Sequence, residues 1–184
     1  MRRVTVALVH YPVLDRERKV VTTAITNLDL HDIARSAHTY GLSDYFIVHP
    51  VEAQRELAER VKSHWLEGSG ARRIPDRVPA MERLRIVPTL EDARRALGGA
   101  PELWTTSAAR GEGVVTHEAA KARLAEDGAP VLLVFGTGWG LADSVMAAAT
   151  LRLEPIASRR ADGYNHLSVR AAAAITLDRL LGRP

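Results

Sequence analysis

The feature that most limits what this chain can fold into is an alternation that runs along its whole length. Short apolar runs rich in β-branched residues are each followed by a polar exit and then by an amphipathic stretch. Val4-Thr5-Val6-Ala7-Leu8-Val9 is the first such run and Tyr45-Phe46-Ile47-Val48 the second, with residues 84–87, 102–106, 130–135 and 151–156 continuing the series. Runs this short, apolar at consecutive positions, suit strands buried on both faces. Between them, helical periodicity predicts helices up to Gly41, over 51–65, 90–97, 116–125 and 142–150, and from the turn at 164–168 to Gly182. Strands joined through helices pair in parallel and carry helices on both faces. The predicted architecture is therefore a single-domain α/β fold over residues 1–184, built on a parallel sheet, with its ligand site beyond the carboxyl ends of the strands.

Local signals set the boundaries. Asp29 or Asn27 is the expected N-cap of the first helix, whose apolar face is Leu30, Ile33, Ala34 and Ala37 and whose stop is Gly41. Gly98-Gly99 ends the helix at 90–97, and Thr116 caps the next one. Residues 68–79, with glycine, proline and arginine but little apolar content, read as a mobile basic loop. In the closing helix Leu167, Ala171, Ala174, Ile175, Leu177 and Leu181 fall near one face, the side expected to dock on the core.

Composition narrows the functional classes. A chain of 184 residues that is 46% apolar and 26% charged buries a real core. The absence of cysteine removes disulfides, thiolate metal sites and cysteine nucleophiles together. The histidines lack the spacing of a metal-binding helix, so no metal is expected. No run of 18 apolar residues occurs and Met1-Arg2-Arg3 leads straight into a strand, which gives the expectation of a cytoplasmic protein without a membrane partner. A net charge of +3 and a pI near 9.6 lean toward an anionic partner.

Three strand exits are polar: Thr105-Thr106-Ser107, Gly136-Thr137-Gly138-Trp139-Gly140, and the segment from Ile156 to Tyr164. All should meet at one sheet edge and form one pocket. The glycine loop lets backbone approach a ligand closely. It matches neither the dinucleotide fingerprint nor the phosphate-binding loop, and it has no lysine nearby.

Taken in order, the segments 27–41 (Asn27-Leu28-Asp29 through Arg35 to Gly41), 133–141 (Leu133-Val134-Phe135-Gly136 through Gly140-Leu141) and 164–169 (Tyr164-Asn165-His166-Leu167-Ser168-Val169) resemble the three motifs of the SPOUT superfamily of RNA methyltransferases. The resemblance covers essentially the whole chain and is nearest to a small bacterial family found alone or fused to a tRNA guanine-N1 methyltransferase. It implies S-adenosylmethionine as methyl donor, an RNA acceptor such as tRNA, a homodimer with the active site near its interface, and a C-terminal deep trefoil knot. Carried onto this sequence, the cofactor would contact Thr106, Ser107, Phe135, Gly136, Gly138, Gly140, Ile156, Tyr164, Leu167 and Ser168, largely through backbone. The motif arginine that faces the acceptor nucleotide in ribose 2′-O-methylating members falls on Arg35. Two departures concern the acceptor: Thr137 or Gly138 stands where those members have a glutamate, and His166 where they have an asparagine.

A sulfonium is already a good leaving group, so the acceptor side carries the chemical difficulty. A ribose hydroxyl must lose its proton, and an arginine stays charged, so Arg35 would hold a phosphate and stabilise the developing oxyanion. The competing reading of Arg35 is a surface residue paired with Asp32. Asp29 is a base or orienting group if it is not the N-cap, and His166 is a base or a turn residue that caps backbone. Trp139 flanks the pocket or fills a subunit contact. Arg72, Arg73 and Arg77, with Arg159 and Arg160, are the candidate phosphate contacts. The expected activity is S-adenosylmethionine-dependent 2′-O-methylation of tRNA. The alternatives are base N-methylation of tRNA or rRNA, and a non-catalytic cofactor- or RNA-binding partner of another methyltransferase.

Overall fold

The computed structural model describes residues 1–98 and 100–183; Gly99, expected to help end a helix, lies outside them. The core element is a seven-stranded sheet in the order β5-β4-β1-β8-β6-β9-β7. Its strands are β1 (Val4–Val9), β4 (Tyr45–Val48), β5 (Leu84–Val87), β6 (Glu102–Thr105), β7 (Val114–Val115), β8 (Val131–Gly136) and β9 (Leu151–Leu153). Every pairing is parallel, as the alternation requires. β1 and β8 sit near the middle in continuous register from Val4↔Val131 to Val9↔Gly136, and β1 is buried along its whole length.

Side chains alternate between two cores. Val6, Leu8, Tyr45, Ile47, Trp104, Leu133 and Phe135 face α1 (Asn27–Thr39), α6 (His117–Ala125) and α8 (Val169–Leu181). Ala7, Val9, Phe46, Leu132 and Val134 face α5 (Leu90–Leu97) and α7 (Asp143–Ala147) on the other side. α2 (Glu52–Leu66) and α4 (Val78–Glu82) add Ala58, Ala80 and Met81 to the first core.

Several boundaries differ from the sequence reading. Thr26, not Asp29 or Asn27, caps α1: its hydroxyl oxygen accepts from the Asp29 N–H. Residues 68–79 are not a mobile loop but form α3 (Ser69–Arg73), a 3₁₀ turn at Pro75–Arg77 and the start of α4. Gly70 explains the difference, because it packs so closely on α2 that an added Cβ would lie 2.8 Å from the Trp65 ring. α7 and β9 stop at Ala147 and Leu153, short of the expected 150 and 156. α8 buries Ala173, Thr176, Leu177 and Leu180, a face rotated from the expected one. Leu167 precedes this helix and is 46% exposed. A hairpin of β2 (Val13–Leu14) and β3 (Val20–Val21) and the short strand β7 were not foreseen.

The bottom of the sheet is closed by a charged cluster. Glu102 accepts from Arg2 at 2.6 Å, from the Trp104 indole at 2.9 Å and from Arg123 at 2.9 Å, while Arg2 also donates to the Ala129 carbonyl. Burial pushes the Glu102 carboxyl up, but these donors outweigh it and hold its pKa down to about 2. A folded pKa below the unfolded one means stabilisation that is complete above pH ~4.5 and lost as pH falls toward ~2, roughly 3 kcal/mol in all. Glu102→Ala should cost about 3 kcal/mol at neutral pH, because Arg2 is left buried and unpaired. Urea titrations across pH 2 to 7 should show the loss together with a flatter acid limb.

Candidate functional site

Parallel pairing sends every strand toward the same edge, and β8, β6 and β9 are neighbours in the sheet. The exits of these three strands therefore lie side by side, and they are the ones with polar, glycine-bearing sequences. Thr106 is half-buried and gives both its N–H, at 3.2 Å, and its hydroxyl, at 3.0 Å, to the Val134 carbonyl, which ties the β6 exit to β8. Ser107 accepts from the Ala109 N–H in the turn that follows. Asn165 donates its side-chain amide to the Ile156 carbonyl at 3.0 Å, so the two ends of the β9–α8 connection are held together. Ser168 then caps α8, accepting from the Ala171 N–H.

The glycine loop is clamped to the β2 hairpin. The Trp139 N–H donates to the Leu14 carbonyl and the Leu14 N–H to the Gly140 carbonyl, each at 2.9 Å, while Ala142 N–H reaches the Pro12 carbonyl at 3.1 Å. Gly138 has φ +60°, and a Cβ there would meet the Leu14 carbonyl oxygen at 2.9 Å and the Thr23 methyl at 3.4 Å. The close approach that requires glycine at this position is thus to the protein's own hairpin. Gly140 differs: with φ +107° it faces open space. Phe135 is buried, so only its backbone is available at the edge.

Beneath the loop lies a polar chain that the sequence reading missed. Thr137 contacts the Val9 carbonyl and the Thr23 hydroxyl, and Thr23 contacts His10 Nδ1 at 3.0 Å. A carbonyl only accepts, so the Thr137 proton goes to Val9, the Thr23 proton to Thr137, and the His10 proton must sit on Nδ1. Nε2 of His10 is then an acceptor, buried and without a partner among the described residues. Burial first, and then the neighbouring His49, lower the His10 pKa to about 4, so the ring is neutral. His49 has the opposite tautomer: its Nδ1 accepts from Val51 N–H, leaving Nε2–H for the Thr23 carbonyl. The available signal was position, since His10 directly follows a buried strand.

The candidate acceptor-side residues separate. Asp29 is buried, and its carboxylate accepts from Thr26 at 2.7 Å and from Arg170 at 3.0 Å. Arg170 also reaches Asp32 at 3.4 Å, and the competing Arg35–Asp32 pair does not form among the described residues. Arg170 was not singled out from the sequence. The hint was two carboxylates at i and i+3 on α1, together with a cation in the first turn of α8 where the helix dipole disfavours one. Arg35 is exposed and without an ion pair among the described residues. His166 is exposed and touches the rings of Trp139 and Tyr164.

Of the candidate RNA contacts, Arg72 and Arg73 are exposed at the end of α3, and the Arg77 guanidinium lies 4.9 Å over the Trp65 ring. Trp65 in turn meets His31 at 4.4 Å. Burial first and then the charge of Arg77, with a smaller contribution from Arg35, lower the His31 pKa. Arg159 is exposed, and Arg160 pairs with Asp162.

The residues at the three exits fit an adenosine-bearing sulfonium. The open space over Gly140, the Ser107 hydroxyl proton and the apolar side chains of Ile156 and Leu167 offer room, a donor and a hydrophobic wall. A cleft along α2, lined by Glu52, Arg55, Glu56, Glu59, Arg60 and Ile86, is a poor alternative, because mixed charges surround a single apolar side chain. Among the described residues no helix is long and apolar enough to cross a membrane.

A family model of S-adenosylmethionine-dependent RNA methyltransferases matches residues 3–182. A tRNA (guanine-N(1)-)-methyltransferase of Nitratidesulfovibrio vulgaris is 48% identical over 185 residues, which cover 98% of this chain but 42% of that enzyme. The chain thus spans less than half the length of that relative. An uncharacterized protein of Aquifex aeolicus is 38% identical over 98% of this chain and 89% of its own. The structure of a TrmH/SpoU tRNA modifying enzyme from A. aeolicus superposes with a TM-score of 0.58 at 14% identity, covering 98% of this chain and 75% of that one, which is a likeness of fold.

Two outcomes follow from this geometry. Gly138→Ala should lower the stability of the ligand-free protein by roughly 1–3 kcal/mol, seen as a drop in Tm, since a strained φ and a backbone clash are imposed before any ligand arrives. An effect confined to cofactor affinity would mean that the loop is not clamped as described. His10 binds no proton when folded at pH values where the unfolded imidazole does, so stability should rise with pH between ~4 and ~6.5. Replacing His10 by Asn, which keeps a donor for Thr23, should flatten that limb in denaturation experiments.

Proposed function

The chain belongs to the family of S-adenosylmethionine-dependent RNA methyltransferases, and we propose that it transfers the methyl group to a ribose 2′-hydroxyl of tRNA, in the cytoplasm. The observation that supports a cofactor site at the sheet edge is the adjacency of the β8, β6 and β9 exits. On this reading Thr106, Ser107, Phe135, Gly136, Gly138, Gly140, Ile156, Tyr164, Leu167 and Ser168 surround the cofactor, mostly through backbone. Bound there, S-adenosylmethionine supplies an activated methyl group on a sulfonium. The chain's part is to hold the acceptor oxygen in line, exclude water and take up one proton.

Arg35 has the freedom this role needs: its guanidinium is exposed and uncommitted, able to grip a phosphate and stabilise the alkoxide as it forms. Asp29 is committed to Arg170 and Thr26, so it positions α1 against α8. The exposed imidazole of His166 is then the group that takes the hydroxyl proton. The remaining parts of the proposal, a homodimer with the site near its interface and a C-terminal knot, rest on the resemblance of the three motifs at 27–41, 133–141 and 164–169 to the superfamily. Arg72, Arg73 and Arg77 continue the phosphate-binding surface from Arg35, with Arg159 and Arg160 on the opposite connection.

A second reading is methylation of a base nitrogen, favoured by the name of the N. vulgaris relative, a guanine-N1 enzyme. Arg35→Ala decides between roles. For ribose methylation turnover should fall at least a hundredfold while calorimetric cofactor affinity changes little, because the lost contact belongs to the transition state. The product nucleotide should resist alkaline cleavage and appear in nucleoside mass spectra as a ribose-methylated species. An alkali-labile product with methyl on a ring nitrogen overturns the ribose assignment and leaves the family assignment intact.

A further inference from the structure

Trp139 stands at the tip of the glycine loop with its backbone pinned and its side chain 58% exposed. Its indole meets the His166 imidazole nearly edge to face, with 6.4 Å between centroids and 78° between planes. His166 lies 5.3 Å from Tyr164, which is 59% exposed. These rings come from two of the three strand exits, the glycine loop after β8 and the connection after β9. An edge-to-face contact covers at most one face of one ring, so broad π surface is left in water. A pinned backbone that holds an indole outward against its hydrophobic tendency marks a contact surface.

We propose that Trp139, His166 and Tyr164 form a stacking platform for an unpaired nucleobase of the RNA acceptor. The platform rests on the reading that methyl transfer to RNA occurs at the β6, β8 and β9 exits; it adds how the acceptor nucleotide is seated there. The chemistry of the patch selects this occupant. All three rings are flat and carry a polar edge, so a base can stack on a face while its edge or ribose meets a polar atom, and Leu167 is the exposed aliphatic side chain beside them in the turn. Arg159, exposed and without an ion pair among the described residues, lies on the same connection and supplies charge for the adjoining phosphate. Stacking tolerates any base, so the platform holds the nucleotide and leaves discrimination to other groups.

Tryptophan emission tests this directly. Trp104 is fully buried and Trp65 is half-buried under Arg77 and against His31, whereas Trp139 at 58% is the most exposed of the three indoles. Titration of total tRNA in the presence of S-adenosylhomocysteine should quench emission in the wild type but not in Trp139→Phe. Trp139→Ala should bind tRNA about five- to a hundredfold more weakly, and Trp139→Phe should recover most of the loss. Calorimetric affinity for S-adenosylhomocysteine should be unchanged in both variants, which shows them folded. Equal tRNA affinity of wild type and Trp139→Ala overturns the platform alone. Quenching that grows with protein concentration without RNA assigns the patch to a second copy and overturns it as well. Failure of the wild type to bind RNA at all overturns the RNA reading beneath it.

Discussion

Everything at the candidate site depends on one constraint, the parallel pairing of all seven strands of the main sheet. Each strand must then end at the same edge, and the chain returns through helices on the two faces, except between β6 and β7, where residues 106–113 carry no helix. The order β8-β6-β9 sets three polar exits beside one another without any long-range contact having to be arranged for the purpose. The cost is that both faces of the sheet must be covered, and the small residues of α8 meet it by letting that helix pack closely against α1, α6 and β8.

Polar contacts then fix what burial alone leaves free. Apolar packing is tolerant of small sliding motions, whereas a hydrogen-bonded pair has one geometry. Arg170 fastens the start of α8 to Asp29 and Asp32, and Tyr40 reaches Asp178 at 2.9 Å near its end, so two tethers orient one helix against another. Asp178, which reads from sequence as a solvated charge, is thus half of a tether. Under the glycine loop, the His10–Thr23–Thr137 chain works in the same sense, and burial keeps its imidazole neutral so that the direction of every proton is set.

The strands were legible because their signal is local. Val4–Val9, interrupted by Thr5, and Val131–Gly136 are short apolar runs whose length suits a strand buried on both faces. The cap at Thr116 and the stop at Gly41, with φ +75°, were local too. Features that exist only through distant partners were not. β2, β3 and β7 are two residues each and owe their extended form to pairing. The four alanines of α8 are apolar in every direction and so do not reveal which side is buried. Thr26-Asn27-Leu28-Asp29 offers several capping residues in a row, though the Thr-x-x-Asp spacing points to Thr26. Gly138 announced a close approach but not what it approaches, and the structure answers with the Leu14 carbonyl.

The central claim is that one cofactor site spans the exits of β6, β8 and β9. Hydrogen–deuterium exchange with and without S-adenosylhomocysteine reads all three segments at once. The account predicts that residues 106–110, 136–141 and 156–168 gain protection together, with the α2 cleft unchanged. Protection confined to a single exit, or appearing along α2 instead, would contradict it.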